Sequence, residues 1–343
     1  MIQETVVRLV EKNSLSSPEA REAMEEILSG TATPSQIAGF LTALRMKGET
    51  PEEIAGCAEA MRGAATRIPL ETPVIVDTCG TGGDKKGAFN VSTAAAFVVA
   101  GAGFTVAKHG NRSISSQCGS ADVLEELGVK IDPPVAVVER CLREIGIGFM
   151  FAPAFHPAMR HAMPTRRELG VRTVFNILGP LCNPAGANVQ VLGVYSPDLL
   201  DVLAQVLVRL GMKHSMVVHG GGYDEITLSG ETLAAEIVDG RVQRIKLSAK
   251  DFGVPAHPDT VLRGGDKKSN AEILRKILKG IRGPQRDVVV ANAGTAILLA
   301  SRAAGKKTPR NRDEACREAE RVLDSGAALK KLDRLAELSH AAS

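Results

Sequence analysis

Apolar residues fall at helical spacing from the start of the chain, where Ile2, Val6, Leu9 and Val10 form one stripe. Three further helices are predicted from a shared punctuation: Ser17-Pro18 to Gly30, Thr33-Pro34 to Gly48, and Thr50-Pro51 to about Gly63. The opening hydroxyl can accept hydrogen bonds from free backbone N–H groups. Proline presets the φ of the first helical residue, and glycine ends the helix. Thr33 with Gln36 and Thr50 with Glu53 also match reciprocal capping boxes. Residues 1–70 therefore read as a small helical unit.

From residue 73 the pattern changes to short β-branched runs separated by helical segments. Val74-Ile75-Val76 predicts a strand, followed by a glycine-rich loop and an alanine-rich helix from Ser92 to about Ala100. Thr105-Val106-Ala107 predicts a second strand, with a Gly/Ser-rich loop and a helix from Ser120 to Leu127 behind it. Ile147 to Phe151, Val189 to Val194, Ser215 to His219 and Val288 to Val290 are further predicted strands. Alternation of strand and helix implies βαβ units around a mainly parallel sheet. In 225–247, Ile226-Thr227-Leu228 and Arg241 to Leu247 around Asp239-Gly240 suggest a hairpin. Residues 155–185, rich in Pro, His and Arg, match no regular element. The expected architecture is α/β, with a small N-terminal α-helical domain over 1–70 that borrows from about 155–185. A larger α/β domain with a mainly parallel central sheet covers 71–343.

Composition narrows the possible functions. Lys and Arg number 42 against 39 Asp and Glu, so no global charge calls for a nucleic acid or membrane partner. Aromatic residues make up only 3% and Trp is absent, which disfavours stacking platforms for single-stranded nucleic acid. The charged N-terminal segment does not have the form of a signal peptide, and no apolar run approaches about twenty residues. The cysteines at 57, 79, 118, 141, 182 and 316 form no C-x-x-C pair. Their scatter suggests reduced, buried thiols in a cytoplasmic protein. His156 and His161 lack zinc-ligand spacing.

Four polar clusters carry the candidate chemistry. Gly80-Thr81-Gly82-Gly83-Asp84 follows the first strand, and its side-chain-free positions leave backbone N–H groups able to converge on an anion. Asn90 to Thr93 then opens a helix, whose free N–H groups favour phosphate. Taken alone, this is equally a tight strand-to-helix turn, for it is neither a Walker loop nor a dinucleotide fingerprint. Lys108 to Ser116 follows the next strand with two cations, a glycine and several hydroxyls, which suit a second phosphate. Two cradles on adjacent strand ends imply a ligand with two separated phosphate groups. Asp224-Glu225 after Gly220-Gly221-Gly222 offers oxygen ligands for Mg²⁺, although such a pair is more often a solvated turn. In Arg166-Arg167-Glu168-Leu169-Gly170, one arginine can hold a carboxylate through two parallel hydrogen bonds.

In this order, the clusters resemble those of the anthranilate phosphoribosyltransferases over essentially the whole chain. The resemblance is carried by Asp77 to Asp84, Phe89 to Ala96, the 108–116 loop, Ser120-Ala121-Asp122, His156-Pro157-Ala158-Met159 and Arg166 to Gly170. It continues through Thr173-Val174-Phe175-Asn176, Gly179-Pro180-Leu181, Asn183-Pro184 and Asp224-Glu225. It implies a fold of the nucleoside phosphorylase and phosphoribosyltransferase type, usually a homodimer. It further implies that Gly80, Gly83, Asp84, Asn90, Val91, Ser92, Thr93, Lys108, His109, Gly110, Asn111, Arg112, Ser113, Ile114, Ser115, Ser116 and Ser120 hold 5-phosphoribosyl 1-pyrophosphate (PRPP). Ser92, Asp224 and Glu225 would serve Mg²⁺, two ions per subunit, while Gly80, Asn111 and Arg166 would contact anthranilate. No side chain is required as a general base; His109 is the candidate if one acts. Two rival readings are a pyrimidine-nucleoside phosphorylase, which shares the architecture, and an inactive nucleic-acid-binding paralogue.

The chain departs from the family pattern beside the glycine loop. Ala88 stands where Thr or Ser is common, and Lys85 and Lys86 stand where a glycine and small residues are more usual. The lost hydroxyl removes one hydrogen bond to pyrophosphate, and the lysines would offset it by long-range attraction. Neutralising both lysines is therefore expected to raise the KM for PRPP and to flatten its dependence on salt, as read from initial rates across a salt series.

Overall fold

The structure is a computed structural model that describes residues 1–84, 86–113 and 117–341. Helices α1 (Ile2–Val10), α2 (Ser17–Ser29), α3 (Pro34–Lys47) and α4 (Pro51–Gly63) form the N-terminal unit. Its core includes Leu9, Met24, Ile27, Phe40, Leu44 and Ile54. The capping boxes of α3 and α4 form as expected from Thr33 with Gln36 and Thr50 with Glu53. For α2 the capping residue is Ser16, paired with Glu19, and not Ser17; Ser17 is the first helical residue and Pro18 the second. Glu53 does more than close its box. Its buried carboxylate accepts from Leu15 N–H at 2.9 Å, Thr50 N–H at 2.8 Å and Lys47 Nζ at 2.9 Å, so its burial is compensated. The predicted stripe on α1 is corrected at one end: Ile2 and Leu9 are buried, but Val10 is 69% exposed.

The larger unit is built on seven strands among the described residues: β1 (Ile75–Gly80), β2 (Thr105–Gly110), β3 (Ile147–Phe151), β4 (Val189–Gly193), β5 (His214–Gly220), β6 (Thr232–Val238) and β7 (Arg241–Leu247). They lie in the order β3-β2-β1-β4-β5-β6-β7. The first five run parallel, and β6 and β7 add an antiparallel edge. Asp239 and Gly240, both at positive φ, make the β6–β7 turn in the conformation that suits a two-residue hairpin. The first hairpin strand is Thr232–Val238, however, and Ile226 to Leu228 is not a strand.

Helices α5 (Val91–Gly101), α6 (Ser120–Glu126), α7 (Val135–Ile145), α8 (Ala152–Phe155), α9 (Met163–Leu169), α10 (Phe175–Leu178), α11 (Leu199–Arg209), α12 (Lys267–Leu278), α13 (Pro284–Ala303), α14 (Arg312–Asp324) and α15 (Ala327–Ser339) complete the regular structure. Val76, Val106, Val191, Met216 and Val218 pack into one core with α5, α13 and α15. Leu192, Val217, Ala235 and Ile237 face the other way, into a core shared with α11 and the N-terminal helices. The period-2 alternation of the strands thus joins the two units without a break.

Two expectations about elements fail here for physical reasons. Val288-Val289-Val290 lies inside α13 and not in a strand. That helix is buried on nearly every side, so its sequence shows no polar face from which a helical period could be read. Residues 155–185 are not irregular throughout but form α8, α9 and α10 with short 3₁₀ turns. Ala162, Val174, Phe175, Ile177 and Leu178 anchor these pieces in the core of the N-terminal helices. Tertiary contacts stabilise helices too short to persist alone.

Candidate active site

Strand order reverses between β1 and β4, the place where ligands bind in open parallel sheets. Gly80 and Gly193 are paired there at the carboxyl tips of the two strands. A Cβ on Gly80 would lie 2.3 Å from Asp224 Oδ2, and one on Gly193 would lie 1.6 Å from the Asp224 carbonyl oxygen. At the end of β5, a Cβ on Gly220 would fall 2.4 Å from the Glu225 carbonyl oxygen. These three absent side chains let the 223–225 segment lie directly across the strand ends. Asp224 in turn accepts the N–H of Gly82 at 2.8 Å, and Glu225 accepts that of Ser92, the second residue of α5, at 3.3 Å.

Burial, and then the negative charge of Asp84, push the Asp224 carboxyl up to about 6, opposed by the Gly82 N–H. Burial and Asp224 raise Glu225 well above the usual carboxylate range, with Lys108 acting against them. Lys108 is buried on β2, with Nζ donating to Thr78 O at 2.6 Å and Ser92 Oγ at 3.4 Å. Its own basicity is lowered by burial, despite the attraction of Asp77 and Glu225. Two neighbouring carboxylates whose ionised forms are disfavoured by desolvation are groups that a hard cation would stabilise. Among the described residues no three His, Cys, Asp or Glu side chains converge as a closed metal cage.

These tips floor a cleft of about 690 Å³. Its second wall is β2 and the turn after it. Lys108, His109 and Gly110 belong to the strand and not to the loop predicted from sequence. Arg112, expected as a free phosphate cation, is held by Asp122 at 2.9 Å and Glu125 at 2.9 Å. Asp122 also accepts from the N–H groups of Ser113 at 3.0 Å and Gly119 at 2.8 Å, which fixes the return of the loop. Asn90 is steadied by Cys118 O at 3.1 Å and by Asn270 at 3.0 Å. Neither nearby thiol offers a nucleophile, since burial holds Cys79 well above its ordinary range and Cys118 up at about 11.

The opposite wall comes from α9 and the turn to α10: Met163, Arg166, Arg167, Gly170, Val171, Arg172 and Asn176 line it. Arg166 lies over the Phe175 ring at 4.8 Å and has no carboxylate partner among the described residues. Burial lowers its basicity, the signature of a guanidinium waiting for an anion. The cleft therefore sets an acid pair and N–H-rich loops against an unpaired arginine.

Two family models match the chain, a glycosyl transferase family helical bundle domain over residues 3–65 and a glycosyl transferase family α/β domain over residues 72–329. An anthranilate phosphoribosyltransferase of Pelotomaculum thermopropionicum is 53% identical over 99% of this chain and 97% of its own length. The chain belongs to the anthranilate phosphoribosyltransferases. The family's crystal structure from Thermus thermophilus superposes with a TM-score of 0.91 at 45% identity, covering 98% of this chain and 99% of that one. The Saccharomyces cerevisiae enzyme, solved with PRPP and Mg, gives a TM-score of 0.88 at 30% identity, covering 98% and 97%. The reaction is transfer of the phosphoribosyl group of PRPP to the amine of anthranilate, giving N-(5-phosphoribosyl)anthranilate and pyrophosphate, in tryptophan biosynthesis.

Most residues that the family resemblance singled out do meet in this cleft: Gly80, Gly83, Asp84, Asn90, Ser92, Thr93, Lys108 to Ser113, Ser120, Arg166, Asp224 and Glu225. Val91 does not; it is wholly buried, and its N–H is taken by Phe89 O at 2.6 Å. Ile114, Ser115, Ser116 and Lys85 lie outside the described residues. Lys86 stands over the Tyr223 ring at 5.3 Å and is not part of the lining. Ala88 lines the cleft and bridges to Arg263. Sequence reasoning missed Arg172 and Tyr195, whose ring lies 4.0 Å from the Arg172 guanidinium. Nothing local marks either of them, because they meet only across the cleft.

His109 is neutral in this setting. Its Nδ1 sits 3.2 Å from the Gly179 carbonyl, which can only accept, so the ring proton is on Nδ1 and Nε2 carries a bare lone pair. Among the described residues that Nε2 has no hydrogen-bond partner, nor has Nε2 of His156, whose ring lies 5.0 Å away. Burial, followed by His156, depresses His109 to about 3, and burial brings His156 to about 4. Below pH 6.5 the unfolded chain protonates both rings while the fold resists it, so stability falls as pH drops towards 4. The slope is at most about 1.4 kcal/mol per pH unit for each histidine. Urea midpoints between pH 7 and 4.5 should show this decline, with a shallower slope in His156→Gln.

Proposed function

We propose that PRPP spans the floor of the cleft, its pyrophosphate against Gly80, Gly83, Asp84 and the start of α5 at Asn90 to Thr93. The rest of the molecule follows Lys108 to Ser116 and Ser120. Ser92, Asp224 and Glu225 hold Mg²⁺, two ions per subunit, and Gly80, Asn111 and Arg166 contact anthranilate. The observation that carries this reading is the pairing of opposites in one cleft. Half-buried Asp224 and Glu225 line the same cleft as half-buried Arg166, which has no carboxylate partner among the described residues. That the yeast relative was solved with PRPP and Mg supports binding of both by this family's cleft.

As the ribosyl C1–O bond breaks, negative charge grows on the departing pyrophosphate. N–H groups already fixed around it stabilise that charge without reorganising. Bound Mg²⁺ supplies additional charge neutralisation of the pyrophosphate. Arg166 holds the anthranilate carboxylate so that the amine faces the oxocarbenium-like carbon, and positioning supplies much of the rate. The amine proton becomes acidic once the C–N bond forms, so no obligatory base is assigned. His109 is the candidate if a base acts, although its Nε2 is buried and its basicity is depressed.

In this reading residues 1–70, with part of 155–185, make up the small domain, and 71–343 make up the PRPP-binding domain. The protein works in the cytoplasm as a homodimer. α1 and α3 leave Val10 69% and Met46 83% exposed, the kind of apolar surface that a second copy covers. Among the described residues, no helix is long and apolar enough to cross a membrane.

The decisive assay follows loss of anthranilate fluorescence with PRPP and Mg²⁺; absence of turnover would refute the reading. A hydrogen-bonded charge pair is worth about 1.5–3 kcal/mol. Arg166→Ala should therefore raise the anthranilate KM roughly ten- to hundredfold and leave the PRPP KM nearly unchanged. An unaltered anthranilate KM would remove Arg166 from its role. Asp224→Asn should shift the Mg²⁺ concentration for half-maximal rate upward by about tenfold or more, measured by metal titration at saturating PRPP.

A further inference from the structure

The glycine loop after β1 has almost nothing of its own to hold its shape. Gly82 and Gly83 both sit at positive φ, +65° and +82°, and neither has a side chain to pack. Three contacts tie the loop to the sheet. Asp224 accepts Gly82 N–H at 2.8 Å, Thr81 N–H donates to Gly193 O at 2.9 Å, and Tyr195 N–H donates to Thr81 Oγ1 at 3.2 Å. A fourth comes from the facing wall. Arg172, in the turn between α9 and α10, donates an Nη2 hydrogen bond to the Gly83 carbonyl. A Cβ on Gly83 would sit 2.7 Å from that same Nη2, so only glycine admits the approach. The guanidinium plane is steadied by the Tyr195 ring at 4.0 Å, just beyond the tip of β4.

The bond also fixes the direction of a peptide. In a trans peptide the carbonyl of Gly83 and the N–H of Asp84 point to opposite sides. With the carbonyl committed to Arg172, the Asp84 N–H is turned away from it, and it has no hydrogen-bond partner among the described residues. Arg172 is rooted on its own side, because Val174 and Phe175 are buried in the core of the N-terminal helices and Thr173 N–H is held by Asn176 at 2.9 Å. It follows Arg166 to Gly170 directly in the chain, so one short segment touches both walls of the cleft.

We propose that Arg172 is a positioning residue for the transfer reaction. It holds the Gly83–Asp84 peptide with its N–H turned toward the pyrophosphate of PRPP, and Tyr195 acts as the platform that orients its guanidinium. The proposal rests on the reading that the glycine loop is the pyrophosphate cradle. Arg172 touches neither reacting atom. Its effect is on donor binding, separate from that of Arg166 on the acceptor.

The test is steady-state kinetics on the full-length enzyme carrying Arg172→Ala, Arg172→Lys, Tyr195→Phe, Tyr195→Ala and the Arg172→Ala/Tyr195→Ala pair, with Gly80→Ala as control. Arg172→Ala should raise the PRPP KM about tenfold while the anthranilate KM stays within about twofold and kcat within about threefold. Lysine can donate but cannot stack as a plane, so Arg172→Lys should recover only part of the loss. Tyr195→Phe keeps the ring and should match wild type, whereas Tyr195→Ala should raise the PRPP KM. The double variant should be no worse than Arg172→Ala, because the two side chains act as one device. If Gly80→Ala raises the PRPP KM and no Arg172 variant does, the proposal is overturned and the cradle stands. If neither position affects it, the cradle reading falls and the proposal with it. A purely structural role would lower the melting temperature and the active fraction without separating the two KM values. Should Arg172→Ala not fold, Arg172→Lys and Tyr195→Ala decide the matter by the same split.

Discussion

The site depends on a single close approach. The 223–225 segment lies across the tips of β1, β4 and β5 because Gly80, Gly193 and Gly220 present bare backbone there. Any side chain at these tips would push Asp224 and Glu225 away from the sheet. Held down, the two carboxylates contact the glycine loop through Gly82 and the start of α5 through Ser92. The acid pair, the anion loop and the helix terminus are thereby assembled in one step. The reversal of strand order between β1 and β4 opens the gap in which this takes place.

Burial then sets the electrostatic character of the cleft. The carboxylates protonate more easily than they would in water, Lys108 holds its proton less firmly, and Arg166 across the gap has no carboxylate partner among the described residues. Each of these groups is less stable in its charged form than it would be in solvent, so a ligand of the opposite sign would relieve it. That is how a nearly neutral protein handles highly charged substrates: the charge is local and uncompensated, with no global excess. The histidines follow the opposite rule. His109 and His156, buried and with no carboxylate partner among the described residues, are held below the ordinary imidazole range.

The two walls belong to different parts of the chain but share one packed interior. Leu192, Val217 and Ile237 from the sheet meet α11 and the N-terminal helices in the same core that anchors Val174 and Phe175. The wall that carries Arg166 is therefore rooted in the helical unit, while it borrows contacts from the sheet through Arg172 and Tyr195. Short helices such as α9 and α10 persist because this interior supports them.

Local physics made much of this legible in advance. Capping boxes, glycine punctuation and the period-2 strands depend on neighbouring residues, so the helical unit, most of the strands and the placing of the glycine loop after β1 could be read directly. Errors arose where the signal was not local. α13 has no polar face to reveal its period, and Val288 to Val290 therefore resembled a strand. Ser16 and Ser17 are chemically equivalent caps until the backbone chooses between them. The ion pairs that Asp122 and Glu125 make with Arg112 depend on α6 lying beside it, which no local spacing announces. The residue types needed for phosphoribosyl transfer were written in the chain, but their charge states and the bridge from Arg172 to Gly83 were not. Desolvation and cross-cleft contact exist only once distant segments pack together, and those were decided by the tertiary structure alone.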